Sequence, residues 1–229
     1  MKIGGLQKVS LIDYPGKIGA VVFTQGCNFR CPYCHNPELV NPTLFRETIP
    51  EESVIAFLKT RRGKLEAVTV TGGEPTLQEG LPSFLQRIKD LGFLVKIDTN
   101  GSFPAAIAIL LQKGLVDYFA MDIKGPLDKY EILIHARVKI EDIKESIALI
   151  TGSSVSHEFR TTLAASLLTG KDILEIAGLI PSARRYVLQR FVPSKLLDSH
   201  LRKEVTFGDK EINDIKCQLE KNLSSVTIR

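Results

Sequence analysis

The stretch Ala67-Val68-Thr69-Val70-Thr71-Gly72-Gly73-Glu74-Pro75 decides the reading of the fold. A β-branched run of strand composition ends in paired glycines, an acid and a proline, and a helical span over 81–91 follows and stops at Gly92. The same alternation recurs on both sides. Runs with strand character occupy residues 20–24, 67–71, 93–98, 116–122, 158–163 and 185–191, with helical spans between most of them. Pro50-Glu51-Glu52 opens one helix that ends by Gly63, a second runs over 104–113 and stops at Gly114, and Ile140, Ile143, Ile147 and Ile150 form the apolar stripe of a third. Six βα units predict an α/β fold, an incomplete parallel (β/α)6 barrel of TIM-like type. A doubly wound sheet is the rival that periodicity does not separate from it. Residues 209–222 read as a further helix and 226–228 as a short apolar run. The expectation is therefore one domain over 1–229, with a barrel core at about 18–193 and a C-terminal elaboration over 194–229.

Composition narrows the function classes. Of 229 residues 44% are hydrophobic and 24% charged, enough for a sizeable core and an ordinary solvated surface. Thirty basic against 26 acidic residues leave a formal charge of +4, and no basic run is longer than Arg61-Arg62, which predicts no nucleic-acid partner. The first seventeen residues lack the apolar core of a secretory signal, and the longest apolar run, 105–111, falls far short of the ~20 residues that span a bilayer. A cytoplasmic protein without a membrane partner is expected.

The unusual residues sit immediately after predicted strands. In a parallel barrel these strand ends share one mouth, where such folds place their sites. After the first strand comes Cys27-x-x-x-Cys31-x-x-Cys34, three of the four cysteines in eight residues, in a loop that also carries Asn28, Phe29, Arg30 and Tyr33. Three thiolates on one loop can hold three irons of a cubane cluster and leave the fourth iron open to a non-protein ligand. The competing readings are a Cys₃His zinc site completed by His35, and a reactive cysteine pair with the third cysteine unexplained. Gly72-Gly73-Glu74-Pro75 taken alone is a tight turn. Asp98-Thr99-Asn100-Gly101 is likewise a turn, with Asn-Gly supplying left-handed residues. Asp122 and Lys124, closing an otherwise apolar strand, could be an edge ion pair. Cys217 lies off the apolar stripe of its helix, one cysteine cannot hold a second cluster, and His135 and His157 read as surface or strand-edge residues.

Together, the CxxxCxxC loop with Tyr33 before its last cysteine, Gly72-Gly73-Glu74-Pro75, Asp98-Thr99-Asn100-Gly101 and Met121-Asp122-Ile123-Lys124 resemble the motifs of the radical S-adenosylmethionine superfamily. Within it they are most similar to those of the glycyl radical enzyme activating enzymes, and especially to the activating proteins of anaerobic ribonucleoside-triphosphate reductase. The resemblance covers about 11–193. It implies one 4Fe-4S cluster on Cys27, Cys31 and Cys34, with S-adenosyl-L-methionine on the open iron through its amino and carboxylate groups. Tyr33 and His35 would line the adenine side, and Gly72, Gly73 and Glu74 the methionine amino group. Asp98, Thr99, Asn100, Asp122 and Lys124 would lie about the cofactor's carboxylate, in some members with a monovalent cation. Gln189 stands where related activases carry a histidine, and an amide can still bond a ribose hydroxyl. The implied activity is reductive cleavage of S-adenosylmethionine to a 5′-deoxyadenosyl radical that takes a hydrogen atom from a glycine of a partner. The partner would be a glycyl radical enzyme such as anaerobic ribonucleotide reductase, and the electron donor of flavodoxin or ferredoxin type. A radical enzyme of deazapurine-synthase type acting on a small molecule, and a non-catalytic metal-binding module, are the alternatives.

Overall fold

The computed structural model describes residues 1–203 and 206–229. Its centre is one sheet of eight strands in sequential order: β1 (Ile3–Tyr14), β2 (Lys17–Thr24), β3 (Ala67–Gly72), β4 (Leu94–Thr99), β5 (Tyr118–Asp122), β6 (Ser156–Leu163), β7 (Tyr186–Arg190) and β8 (Val226–Ile228). β1 runs antiparallel to β2, and every later pairing is parallel. A doubly wound sheet reverses its strand order at a switch point. This sheet does not, so the barrel-type reading holds and the rival falls. The sheet also curls: the Tyr14 ring of β1 lies 5.8 Å from that of Tyr118 on β5, with three strands between them in the sheet order. β1 and β8 remain edges, so the barrel is incomplete.

The described residues form eight α-helices: α1 (Pro37–Val40), α2 (Glu51–Lys59), α3 (Leu81–Asp90), α4 (Pro104–Gln112), α5 (Tyr130–Ile134), α6 (Ile140–Gly152), α7 (Gly170–Leu179) and α8 (Asp209–Leu219). Strand alternation sorts the side chains. Val68, Val70, Val95, Ile97, Phe119, Met121 and Phe159 belong to the main apolar core with Phe84, Leu85 and Ile88 of α3, Ile107 and Leu110 of α4, and Ile143, Ile147 and Ile150 of α6. The intervening positions Thr69, Lys96, Asp98, Asp122 and Arg160 fall on the concave face, because successive strand residues point to opposite sides. The stripe predicted for α6 is thus the face that packs, with Ile140 partly buried at its start.

The six predicted strands are β2 to β7, displaced at their ends by three residues at most. β1 is the addition. Its composition, with Gly4, Gly5, Gln7, Lys8 and Ser10, and register shifts at three points hide the period-2 pattern that identifies the other strands. Pro15-Gly16 forms the two-residue turn into β2, with Tyr14 opposite Lys17 and Gly16 at φ 70°. The short run at the C-terminus is β8, which pairs in parallel with β7. His157 is corrected: it lies on β6 at 2% exposure, its Nδ1 3.1 Å from Val155 O and its ring against Phe159. Burial holds its imidazole below the ordinary range. Among the described residues no helix is long and apolar enough to cross a membrane.

Candidate active site

The C-terminal ends of β2 to β7 surround a cavity of about 330 Å³. Cys27, Cys31, Tyr33, Cys34, His35, Gly72, Gly73, Glu74, Asp98, Thr99, Asn100, Asp122, Lys124 and Gln189 all line it. Four segments that look like separate turns in the sequence therefore form one site.

The cysteine loop is fastened on two sides. Beneath it, Gly73 N donates to Thr24 O and Glu74 N to Gly26 O, each at 2.8 Å. A Cβ on Gly73 would stand 2.1 Å from Gly26 O, and one on Gly72, at φ 111°, 2.5 Å from Thr24 N. The paired glycines thus serve first to let the β3 turn meet the backbone that leads into the cysteines. Beside it, Asn100 Nδ2 donates to Asn28 Oδ1 at 3.0 Å and Asn28 Nδ2 to Ser102 Oγ at 2.9 Å. Only Gly101 of the Asn-Gly pair is left-handed, at φ 76°. Asn100 acts through its side chain, whose Oδ1 accepts from Ser102 N at 3.0 Å.

Glu74 joins the two fastenings. At 1% exposure, its Oε1 accepts from Thr76 N at 2.9 Å, from the Thr76 hydroxyl and from Thr99 Oγ1 at 2.8 Å, and its Oε2 accepts from Asn100 N at 2.7 Å. Burial pushes its carboxyl above the usual range against these donors.

The thiols suit ligation better than reaction. Burial, with Glu74 nearby, pushes Cys27 up to about 12, and burial pushes Cys31 up to about 11; Cys34 is raised for the same first reason. A nucleophilic or redox cysteine requires the opposite shift, whereas binding to a metal deprotonates a thiol outright. Phe29 N–H points at Cys27 Sγ at 3.4 Å. His35 Nε2 is 2.8 Å from Val192 O and its ring lies 5.9 Å from that of Phe191, so a Cys₃His zinc site would have to use its Nδ1. No group of three or more His, Cys, Asp or Glu side chains among the described residues is placed to hold a single metal ion. Three thiols on one cavity wall, with no fourth, fit a cluster held on three corners.

Asp98, Asp122, Lys124 and Arg160 line the cavity half-buried and, with the buried Lys96, form an ion network. Asp98 pairs with Lys96 and, through Oδ2, with Arg160 NH1 at 3.1 Å. Arg160 Nε reaches Asp122 Oδ1 at 2.7 Å, and Asp122 Oδ2 meets Lys124 Nζ at 3.0 Å. Lys124 Nζ also stands 5.9 Å from the centre of the Tyr33 ring. Burial opposes ionisation of Asp122, but Arg160 and Lys124 outweigh it and hold its carboxyl well below the usual range. Burial likewise opposes ionisation of Asp98, and Arg160 and Lys96 outweigh it and lower its carboxyl. Three cations face two carboxylates. Arg160 and Lys96 are the members of this network that sequence reasoning misses, although each is a charged residue inside a strand and two positions from another, the same signal that Asp122 gives.

The radical SAM superfamily model matches residues 21–179. The chain belongs to the radical SAM superfamily. A protein of Methanocaldococcus jannaschii provisionally named a glycyl-radical enzyme activating enzyme is 35% identical over 99% of this chain and 95% of its own length. The pyruvate formate-lyase-activating enzyme of Clostridium pasteurianum is 28% identical over 94% and 90%. The crystal structure of Streptococcus suis SuiB bound to S-adenosylmethionine superposes with a TM-score of 0.68 at 13% identity, over 90% of this chain and 51% of SuiB, a likeness of fold. The protein is a radical SAM enzyme, and a 4Fe-4S cluster and S-adenosylmethionine are the cofactors that membership implies.

Proposed function

We propose that this radical SAM enzyme generates a glycyl radical on a partner protein. The observation that carries the reading is the full-length similarity to glycyl-radical activating enzymes, combined with a site whose motif residues converge on one cavity. When bound, the cluster and S-adenosylmethionine would supply the reductive radical chemistry that removes a hydrogen atom from the partner's glycine Cα.

This chain's residues prepare that step. Cys27, Cys31 and Cys34 would hold the cluster and leave one iron open to S-adenosylmethionine. Arg160 and Lys124, which line the cavity, would meet the cofactor's carboxylate, while Lys96 pairs with Asp98, and Asp98 and Asp122 fix the direction of the Arg160 and Lys124 cations. Tyr33 and His35 bound the adenine side and Gln189 offers an amide to the ribose. Glu74 with Gly72, Gly73, Thr99 and Asn100 holds the loops in register. A monovalent cation between Asp98 and Asp122 would share those carboxylates with Arg160, which pairs with both. The partner whose activating proteins the motifs most resemble is anaerobic ribonucleoside-triphosphate reductase, and the electron would come from a flavodoxin- or ferredoxin-type donor.

The test is anaerobic reconstitution with iron and sulfide, followed by reductant, S-adenosylmethionine and candidate glycyl radical enzymes. Deoxyadenosine should form slowly alone and faster with the correct partner. Electron paramagnetic resonance should show a glycyl radical that disappears when the partner's glycine is replaced. Deoxyadenosine without a glycyl radical on any such partner, together with turnover of a small heterocycle, would overturn the reading.

A further inference from the structure

Below the ion network lies a carboxylate–guanidinium pair that the cofactor reading does not use. Glu158 stands on β6 two residues before Arg160, so both project from the same inward face. It is fully buried. Its Oε1 and Oε2 accept from NH1 and NH2 of Arg229 at 3.0 Å each, and Oε2 also accepts the Tyr118 hydroxyl at 3.0 Å. Arg229 is delivered by the strand pairing of β8: its N–H donates to Leu188 O at 2.9 Å, and its carbonyl accepts from Arg190 N at 2.7 Å. A two-pronged guanidinium–carboxylate contact is the strong form of this interaction, and a buried carboxylate stripped of it seeks another cation.

The nearest one along the strand is Arg160. We infer that Arg229 is a positioning residue for the cavity above it: by occupying Glu158 it leaves Arg160 free to bridge Asp98 and Asp122. The inference rests on the reading that this network faces S-adenosylmethionine. Among the ion-paired groups Lys96, Arg160, Lys124 and Arg229 meet Asp98, Asp122 and Glu158, an excess of one positive charge, and Arg185 is a further cation that acts on Tyr118 beside Glu158. Removing Arg229 cancels that excess and sets Glu158 in competition for Arg160. Removing the Glu158 charge as well restores it. In a partly buried site a unit charge acts over several ångströms with kcal-scale strength.

The experiment compares wild type, Arg229→Ala, Arg229→Lys, Glu158→Gln and the double variant E158Q/R229A. All are reconstituted with iron and sulfide, and the Kd for S-adenosylmethionine and the melting midpoint of each are measured. Binding is measured well below every midpoint. R229A should bind the cofactor about tenfold more weakly, R229K should fall between, and E158Q and the double variant should lie within about threefold of wild type. A Kd unchanged in R229A, even with a lowered midpoint, would make the pair merely structural and overturn the inference. So would a weakening that E158Q/R229A fails to relieve. Wild-type protein that did not bind S-adenosylmethionine would remove the underlying reading itself.

Discussion

Cys31 is buried between Cys27 and Cys34 on the cavity wall, while Cys217 is exposed on α8. Cys31→Ala should therefore give folded protein that cannot assemble an intact cluster, as read from iron content and the visible spectrum, and Cys217→Ala should assemble it normally. Asp122→Asn should keep the cluster and lose about tenfold in S-adenosylmethionine affinity or cleavage rate, since hydrogen bonds to charged groups contribute roughly 1.5–3 kcal/mol. Equilibrium binding on the reconstituted variant checks this, and unchanged binding would reduce Asp122 to a structural ion pair. The three thiols stand out in sequence by their close spacing, whereas Asp122 alone reads equally as an edge ion pair and is singled out only by the resemblance of Met121-Asp122-Ile123-Lys124 to the family motif. Arg160 is not legible in sequence, because its part depends on reaching two carboxylates on two neighbouring strands. That relation exists only once β4, β5 and β6 are side by side.

At the level of elements, Gly72-Gly73 taken alone reads as a tight turn and by resemblance as part of the cofactor site, and the nearest protein atoms to either missing Cβ belong to Thr24, Phe23 and Gly26. A turn signal in sequence tells that glycine is needed and not what approaches it. Gly73→Ala should thus act on the cysteine loop. A contact of 2.1 Å with a backbone oxygen is relieved only by shifting β3's turn away from residues 24–26. The expected outcome is a lower melting midpoint together with slower or incomplete cluster reconstitution, measured on the same sample. Normal reconstitution would show that the loop tolerates displacement. Glu74→Gln tests the other fastening. An amide has one acceptor oxygen where Glu74 uses two, so either Asn100 N–H or the Thr76 and Thr99 donors lose their partner, at about 1–3 kcal/mol in urea unfolding. β1 illustrates the converse limit: its pairing with β2 is not legible because an irregular edge strand need not alternate.

For the molecule as a whole, sequential strand order wraps a sheet around charged residues that few folds would bury, and the acid stability of the protein should record it. Asp98 stays ionised in the folded state below its ordinary range, and Asp122 well below it, because Arg160, Lys96 and Lys124 hold them against burial. In the unfolded chain they take up protons near the ordinary aspartate value of 3.8. Their contribution to stability is therefore fully present above about pH 4 and is lost as the pH falls through the depressed folded values. His157 works in the same direction at higher pH. Buried and neutral when folded, it is protonated in the unfolded chain below its ordinary value of 6.5, so its contribution is complete above that pH and declines below it. Glu74 opposes both: its carboxyl is raised by burial, so the folded state holds its proton more tightly and gains relative stability as the pH falls through the raised value. Urea unfolding followed from about pH 8 down to about pH 2.5 should accordingly show a shallow decline beginning near the histidine range and a steeper one below about pH 4. Asp122→Asn should flatten the lower limb and leave the upper one, and His157→Gln should do the reverse. A lower limb as steep in Asp122→Asn as in the wild type would mean that the network stays paired when that carboxylate is neutral, and that Asp98 alone suffices to hold Arg160 in place.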